Sequence, residues 1–214
     1  MTPTMIDQET GRTARKRTAI IEAATELFLM QGYEGTSMDQ VAAQAAVSKQ
    51  TVYKQFADKD SLFAEVILGL SGTAEAFIDA VSELLGNPKD LERALKQLAR
   101  RYLQTLMQPR VLQLRRLLIG QAGRFPELGA TYYERVPERT VTAIATCFEQ
   151  LSARGLLRVP DAILAARQFA VLVLFIPLDK ALICGDNARP SASALDRLAD
   201  AGVDVFLAAY SSRG

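Results

Sequence analysis

The sequence predicts an all-α protein of about nine or ten helices, and three observations carry that prediction. Apolar residues recur at i, i+3, i+4 and i+7 in one segment after another, whereas strict alternation, the mark of a half-buried strand, is scarce. The segments begin after Ser or Asp and end at Gly or Pro, which is the chemistry of helix ends. Of the 214 residues 49% are hydrophobic but only 7% aromatic and none is Trp, so Ala and Leu, both strong helix formers, carry the apolar mass.

Taken in order, residues 1–11 read as a disordered leader, followed by a basic arm, Arg12, Arg15, Lys16 and Arg17. A helix over 18–31 buries Ile20, Ile21, Ala24, Leu27 and Phe28, and Gly32 stands where a left-handed terminating residue belongs. Ser37 and Gln40 form a capping box opening a helix over 38–45. Ser48 caps a second short helix over 49–55, and Asp58 caps a third, with Leu62, Phe63, Val66 and Ile67 on its inner face. That third helix is expected to run to Leu85, where Gly86-Asn87-Pro88 stops it. Further helices follow over 89–107, 110–121, 126–153 (interrupted at Val136-Pro137), 161–184 and 193–210. The helix at 161–184 is apolar nearly all round and must be covered on more than one side.

Two short helices joined by about three residues describe a helix-turn-helix. In the second, Val52 and Phe56 lie about 40° apart and mark the buried side, leaving Gln50 and Lys54 opposite and Thr51 and Tyr53 on the flanks. Gln and Lys donate to base edges, while hydroxyls and helix N-termini hold phosphates. Ser48, Lys49, Gln50, Thr51, Tyr53 and Lys54 are therefore expected to meet the major groove of double-stranded DNA, with Gln50 and Lys54 nearest the bases. The basic arm is expected to add phosphate or minor-groove contacts. Net charge is only +1, so the electrostatic footprint is local.

The stretch from residue 14 to 67 resembles the TetR family of bacterial transcriptional repressors, through Ala23-Ala24-Thr25-Glu26-Leu27-Phe28, Gly32-Tyr33, Thr36-Ser37-Met38, Val41-Ala42, Val47-Ser48-Lys49, Thr51-Val52-Tyr53, Phe56 and Lys59-Asp60-Ser61-Leu62-Phe63. The resemblance implies that Thr36, Ser37, Tyr53 and Lys59 hold phosphates. Two positions depart from the pattern. Ala46 stands where many members have Gly in the turn, at a cost of about 1 kcal/mol if φ there is positive. Gln50 stands where many also have Gly, adding a side chain aimed at the groove. Farther on, Arg124-Phe125-Pro126-Glu127-Leu128, Ala153-Arg154-Gly155-Leu156 and Ala165-Ala166-Arg167-Gln168-Phe169 are similar to the AefR-like subgroup.

The resemblance implies a DNA-binding domain over 12–60 and an effector-binding and dimerisation domain over 61–212. Helices broken at Pro109, Phe125-Pro126, Pro137 and Pro177 pack less densely and leave room for a cavity. Candidate lining residues are Phe77, Tyr102, Leu106, Leu118, Gln121, Phe125, Tyr132, Tyr133, Phe148, Arg167 and Phe169. They suit a small apolar or aromatic effector, with Gln121, Tyr133 and Arg167 as polar anchors; ordinary core packing is the competing account of each. The helices at 161–184 and 193–210 carry more apolar surface than one subunit covers and are expected to pair with their twins in a homodimer, Val203 and Phe206 among the pairing residues. The helix opened by Asp58, shared by both domains, is the expected route between effector and operator.

Histidine is absent, which removes the commonest general base and zinc ligand, and no phosphate loop, G-x-S-x-G or C-x-x-C occurs. An enzyme is not expected, nor is a cofactor or a metal. Cys147 and Cys184 both sit in apolar helical context and read as buried, inert thiols rather than redox sensors. The chain shows no signal peptide, and the most apolar run, 169–178, is ten residues, too short to span a bilayer; a cytoplasmic, non-membrane protein is expected. The reading is thus a ligand-responsive repressor that releases a palindromic operator on binding its effector. The alternative is a DNA-bound adaptor of the same fold that recruits a protein partner and has no small-molecule effector.

Overall fold

The computed structural model describes residues 5–212, and the side chains of 12–212. Among these residues it contains eleven α-helices: α1 Met5–Gly35, α2 Met38–Gln44, α3 Lys49–Gln55, α4 Lys59–Leu68, α5 Ser71–Leu85, α6 Leu91–Leu106, α7 Pro109–Gly120, α8 Pro126–Tyr133, α9 Arg139–Ala153, α10 Ala162–Cys184 and α11 Ala192–Tyr210. A one-turn π segment, Glu134–Glu138, joins α8 to α9. Counting α4–α5 and α8–α9 as single interrupted helices brings eleven to nine, the lower of the two expected numbers.

The caps fall where side-chain chemistry puts them. Ser37 and Gln40 form the reciprocal box of α2, the Ser48 hydroxyl accepts from the Thr51 amide, and Asp58 forms a box with Ser61. Asp90, Asp161 and Ser191 cap α6, α10 and α11 in the same way. Gly32, at φ 73°, breaks α1 before its last turn. At the other end α1 begins earlier than expected: residues 5–11 are helical, and only 1–4 of the supposed leader lie outside the described residues.

The expected unbroken helix from Asp58 to Leu85 is two helices. Gly69 and Leu70 stay near helical φ, but their ψ of −21° and −19° tightens the path and separates α4 from α5. The break at Val136-Pro137 is milder than its sequence suggests. The wide π turn accommodates the proline, and the Thr140 hydroxyl donates to the Val136 carbonyl at 2.9 Å.

The chain forms two compact units, and the cut between them is not a single point. One comprises 1–69 and 117–128; the other comprises 70–116 and 129–214. The expected division at 60/61 missed both α4 and the return segment at 117–128. That segment joins the first unit because Phe125 packs edge-on against Tyr33 (ring centroids 5.1 Å) and at a tilt against Phe63 (5.4 Å), while Arg124 pairs with Glu34 at 2.8 Å. Phe28 completes the cluster, 5.3 Å from Phe63.

In the second unit α5, α6, α9, α10 and α11 enclose one core, in which Phe148, Phe169 and Phe206 stack around one another at 5.0–5.8 Å. Helices α10 and α11 cross closely at Gly202, where a Cβ would stand 2.9 Å from the Leu172 carbonyl oxygen. Two stretches, Lys59–Leu85 and Ala162–Cys184, are long and apolar enough by length and composition to cross a membrane. The second of these, α10, buries eight residues inside this core. Cys147 is buried, as expected, and burial pushes its thiol pKa up; Cys184 is exposed, contrary to expectation, because it falls on the last turn of α10.

Ala46 adopts φ +52°, the left-handed region in which a Cβ crowds the carbonyl. Ala46→Gly removes that strain at some cost in unfolded-chain entropy, and is expected to raise the stability of the helix-turn-helix unit by roughly 0.5–1 kcal/mol. A urea unfolding midpoint that falls would contradict this.

Candidate nucleic-acid interface and ligand cavity

In the first unit the α2–α3 corner is held from within. Met38, Val41, Ala42, Val52 and Phe56 are buried, and Gln44 and Gln40 reach α1 through Glu26 (2.7 Å) and Gln31 (3.2 Å). With Val52 inward, α3 turns Gln50, Tyr53 and Lys54 outward, and Tyr53 is 51% exposed although it is aromatic. Ser37, Ser48 and Lys49 are also exposed, though Lys49 is ion-paired with Asp39 at 2.6 Å and the Ser48 and Thr51 hydroxyls bond to each other at 2.8 Å. Arg12, Arg15 and Lys16 share a groove with Ala45, Ala46 and Val47 of the turn, so the basic arm and the corner present one positive surface.

Two expected phosphate holders have other work. Thr36 is buried, and its hydroxyl donates to the Gly32 carbonyl, stitching the broken end of α1. Lys59 donates to the carbonyls of Tyr33 (2.9 Å) and Thr36 (3.0 Å), with its ammonium 4.3 Å from the Tyr33 ring centre. Their carbonyl partners were invisible in the sequence because they belong to the kinked end of a different helix. The Tyr33 hydroxyl bonds to Asp60; burial, reinforced by that carboxylate, pushes its pKa up to about 12.

The second unit contains a cavity of about 470 Å³. Phe77, Tyr102, Leu106, Tyr132, Tyr133 and Arg167 line it, six of the eleven residues expected. Phe148 and Phe169 instead fill the core beside Phe206. Leu118, Gln121 and Phe125 lie on the return segment of the first unit, where Gln121 accepts the Arg124 and Phe125 amides in a tight turn. Helical periodicity marks Leu118, Phe148 and Phe169 as inward-facing, while Gln121 and Phe125 stand at the helix break; which interior each faces is a tertiary property.

Missing from expectation are Arg115, Thr73, Thr105 and the π-turn residues Val136, Pro137 and Glu138. The sequence signal for the last three was Pro137 itself, since a helix that widens cannot close against its neighbour. Tyr102 stacks on Phe77 at 4.4 Å, and burial pushes its pKa up to about 12. Burial also raises the Tyr132 pKa, partly countered by the Arg115 guanidinium in hydrogen-bonding reach. Arg167 reaches both carboxylate oxygens of Glu138 at 3.3 Å.

A helix-turn-helix with an outward recognition face, on a chain whose larger helical unit holds an aromatic cavity, invites comparison with known proteins. Residues 20–66 match the model of bacterial regulatory proteins of the tetR family, and residues 93–212 match that of the AefR-like transcriptional repressor, C-terminal domain. A crystal structure of a putative TetR-family transcriptional regulator from Mesorhizobium loti MAFF303099 is 45% identical, with a TM-score of 0.88 over 94% of this chain and 98% of that one. The structure of the flavonoid-responsive regulator FrrA is 34% identical, with a TM-score of 0.71 over 94% and 100% of the two chains. Two curated relatives match over shorter stretches. YhgD of Bacillus subtilis is 44% identical over 26% of this chain, and TcmR of Streptomyces glaucescens 37% identical over 31%. The matches span only 29% and 28% of those relatives' own lengths. With a family model covering the C-terminal half, another covering the helix-turn-helix and solved relatives alike over nearly the whole chain, this protein belongs to the TetR family of bacterial transcriptional regulators, with a C-terminal domain of the AefR-like kind.

Proposed function

We propose that this regulator is a cytoplasmic repressor that binds a palindromic operator as a homodimer and releases it when a small aromatic effector fills the cavity. The observation that carries the reading is the path of the chain at 117–128. The segment packs into the DNA-binding unit through Phe125 and Arg124, yet both its flanks line the cavity of the other unit, Arg115 on α7 and Tyr132 and Tyr133 on α8. A ligand that repositions either flank pulls on the aromatic cluster beneath the recognition helix. The break at Gly69-Leu70 makes the α4–α5 helix a poorer lever than an unbroken strut, so the coupling runs through the return segment. An adaptor without an effector does not need a cavity of this size, and FrrA, alike over its whole length, is by its name flavonoid-responsive. A flat, multi-ring aromatic ligand suits the stacked Phe77–Tyr102 wall.

Dimerisation is supported by the outer faces of α10 and α11. Phe175 (61% exposed), Ile176 (73%), Ile183 (75%) and Val205 (56%) form an apolar surface that water covers in the single subunit. Val203 and Phe206, expected on that face, are fully buried in the subunit core and serve its folding instead. Pairing through α10 and α11 sets two recognition helices about one turn of duplex apart, roughly 34–36 Å.

Three measurements test the reading. Gln50→Ala is expected to relax sequence preference by about 1–3 kcal/mol at one or two base pairs, and Lys16→Ala, in the basic arm, to weaken specific and random duplexes alike with a shallower salt dependence. Equal losses on both duplexes from both variants would refute the recognition-face assignment. Ile176→Glu with Val205→Glu is expected to give folded monomers by sedimentation, with operator binding lost; a dimer that persists rules out this face. Phe125→Ala is expected to leave the fold and ligand affinity near normal while abolishing ligand-driven release. Release of a hundredfold requires a preference of about 2.7 kcal/mol between states, within the roughly 1–3 kcal/mol typical of coupling free energies. Full release by the variant would exclude the return segment as the lever.

A further inference from the structure

The charges that line the cavity do not balance, and the imbalance identifies the ligand more narrowly than its aromatic walls do. Two guanidiniums, Arg115 and Arg167, face it with a single carboxylate, Glu138. That carboxylate is committed, since both its oxygens lie 3.3 Å from Arg167. Arg115 takes part in none of the ion pairs among the described residues, and it is half-buried rather than free in water. Phenols line the cavity with it: Tyr132 and Tyr102, both of which feel its positive charge. A half-buried guanidinium has lost part of its hydration, and a neutral phenol restores only some of it.

We infer that the effector is an aromatic carboxylate whose acid group is held by Arg115. This rests on the reading of the cavity as the effector site. The planar guanidinium offers two parallel N–H donors that match a carboxylate edge, a fit that a ketone or a single hydroxyl cannot make. Tyr102 and Tyr132 add hydroxyl donors that burial keeps protonated, so they stabilise a ligand anion without contributing charge of their own. The rings of the same ligand then lie toward Phe77 and Leu106, along the apolar remainder of the wall. Arg115 therefore determines specificity, and because it stands two residues before the start of the return segment, the contact that selects the ligand is also the one placed to move that segment.

The test is calorimetric titration of the full-length protein with two pairs of isosteric probes, 2-naphthoate against 2-naphthamide and chromone-2-carboxylate against chromone-2-carboxamide. For the wild type the acid of at least one pair is expected to bind about tenfold or more tightly than its amide, the advantage of a charge-assisted pair over a neutral one. Arg115→Met is expected to erase that preference, chiefly by weakening the acid, with an unchanged thermal unfolding midpoint showing that the fold is intact; Arg115→Lys is expected to retain part of it. Arg167→Met is expected to keep the preference, its charge being matched by Glu138. Acid and amide binding equally well to the wild type would overturn the carboxylate while leaving an aromatic effector standing. A preference lost in Arg167→Met but kept in Arg115→Met would overturn the assignment to Arg115. If none of the four probes binds, the effector reading of the cavity fails and the inference fails with it.

Discussion

The ring of Tyr33 is the constraint on which the DNA-binding half depends. It lies between the Lys59 ammonium at 4.3 Å and the Arg124 guanidinium at 4.8 Å, it meets Phe63 and Phe125 edge-on, and its hydroxyl bonds to Asp60. One side chain thereby ties the broken end of α1 to the start of α4 and to a segment that arrives from 90 residues farther along the chain. None of these contacts is strong alone; aromatic and cation–π pairs contribute about 0.5–2 kcal/mol each. Their convergence on one ring joins Phe125, Lys59 and the kinked end of α1 in a single cluster. Gly32 is needed for the same reason, because only its positive φ lets α1 turn Tyr33 inward.

The cavity has an equally specific origin. Pro137 cannot donate a backbone hydrogen bond, and the helix answers by widening into a π turn rather than by kinking away. Val136, Pro137, Glu138 and Thr140 all line the cavity, so the helix defect and the empty space coincide. The Thr140 hydroxyl bonds to the Val136 carbonyl and limits the cost of the disrupted ladder. Elsewhere in the unit large rings fill the interior, as Phe148, Phe169 and Phe206 do, and the close approach at Gly202 leaves no gap between α10 and α11.

Charge on the DNA-binding face is arranged with similar economy. Arg17 pairs with Glu65 at 3.0 Å and stands over the Phe56 ring, Lys49 pairs with Asp39, and Lys59 is occupied by carbonyls. Exposed pairs of this kind contribute about 0–1 kcal/mol, and a phosphate can compete for the lysine or arginine. The outward surface that remains is Gln50, Tyr53 and Lys54 with the basic groove beside the turn.

Local chemistry in the sequence determined the helices, the caps and the helix-turn-helix. Ser37, Ser48 and Asp58 act within three residues of themselves, and the burial of Val52 with the exposure of Gln50 and Lys54 follows from 3.6 residues per turn. The strain at Ala46 was legible too, because turn geometry is local. What the sequence could not assign was partnership at a distance. Leu118 carries the same inward pattern as Tyr102 or Leu106, yet it belongs to a different unit, together with Gln121 and Phe125 of the break that follows it. Val203 and Phe206 looked no different from Val205, which lies on the opposite side of α11, since α10 and α11 are apolar on several faces. Arg115, two residues before the chain passes into the other unit, read as an ordinary charged helix position until the structure placed it against Tyr132 and the cavity. Periodicity states that a side chain is buried; only the packing of one helix on another decides against what, because that choice depends on contacts between residues the chain keeps far apart.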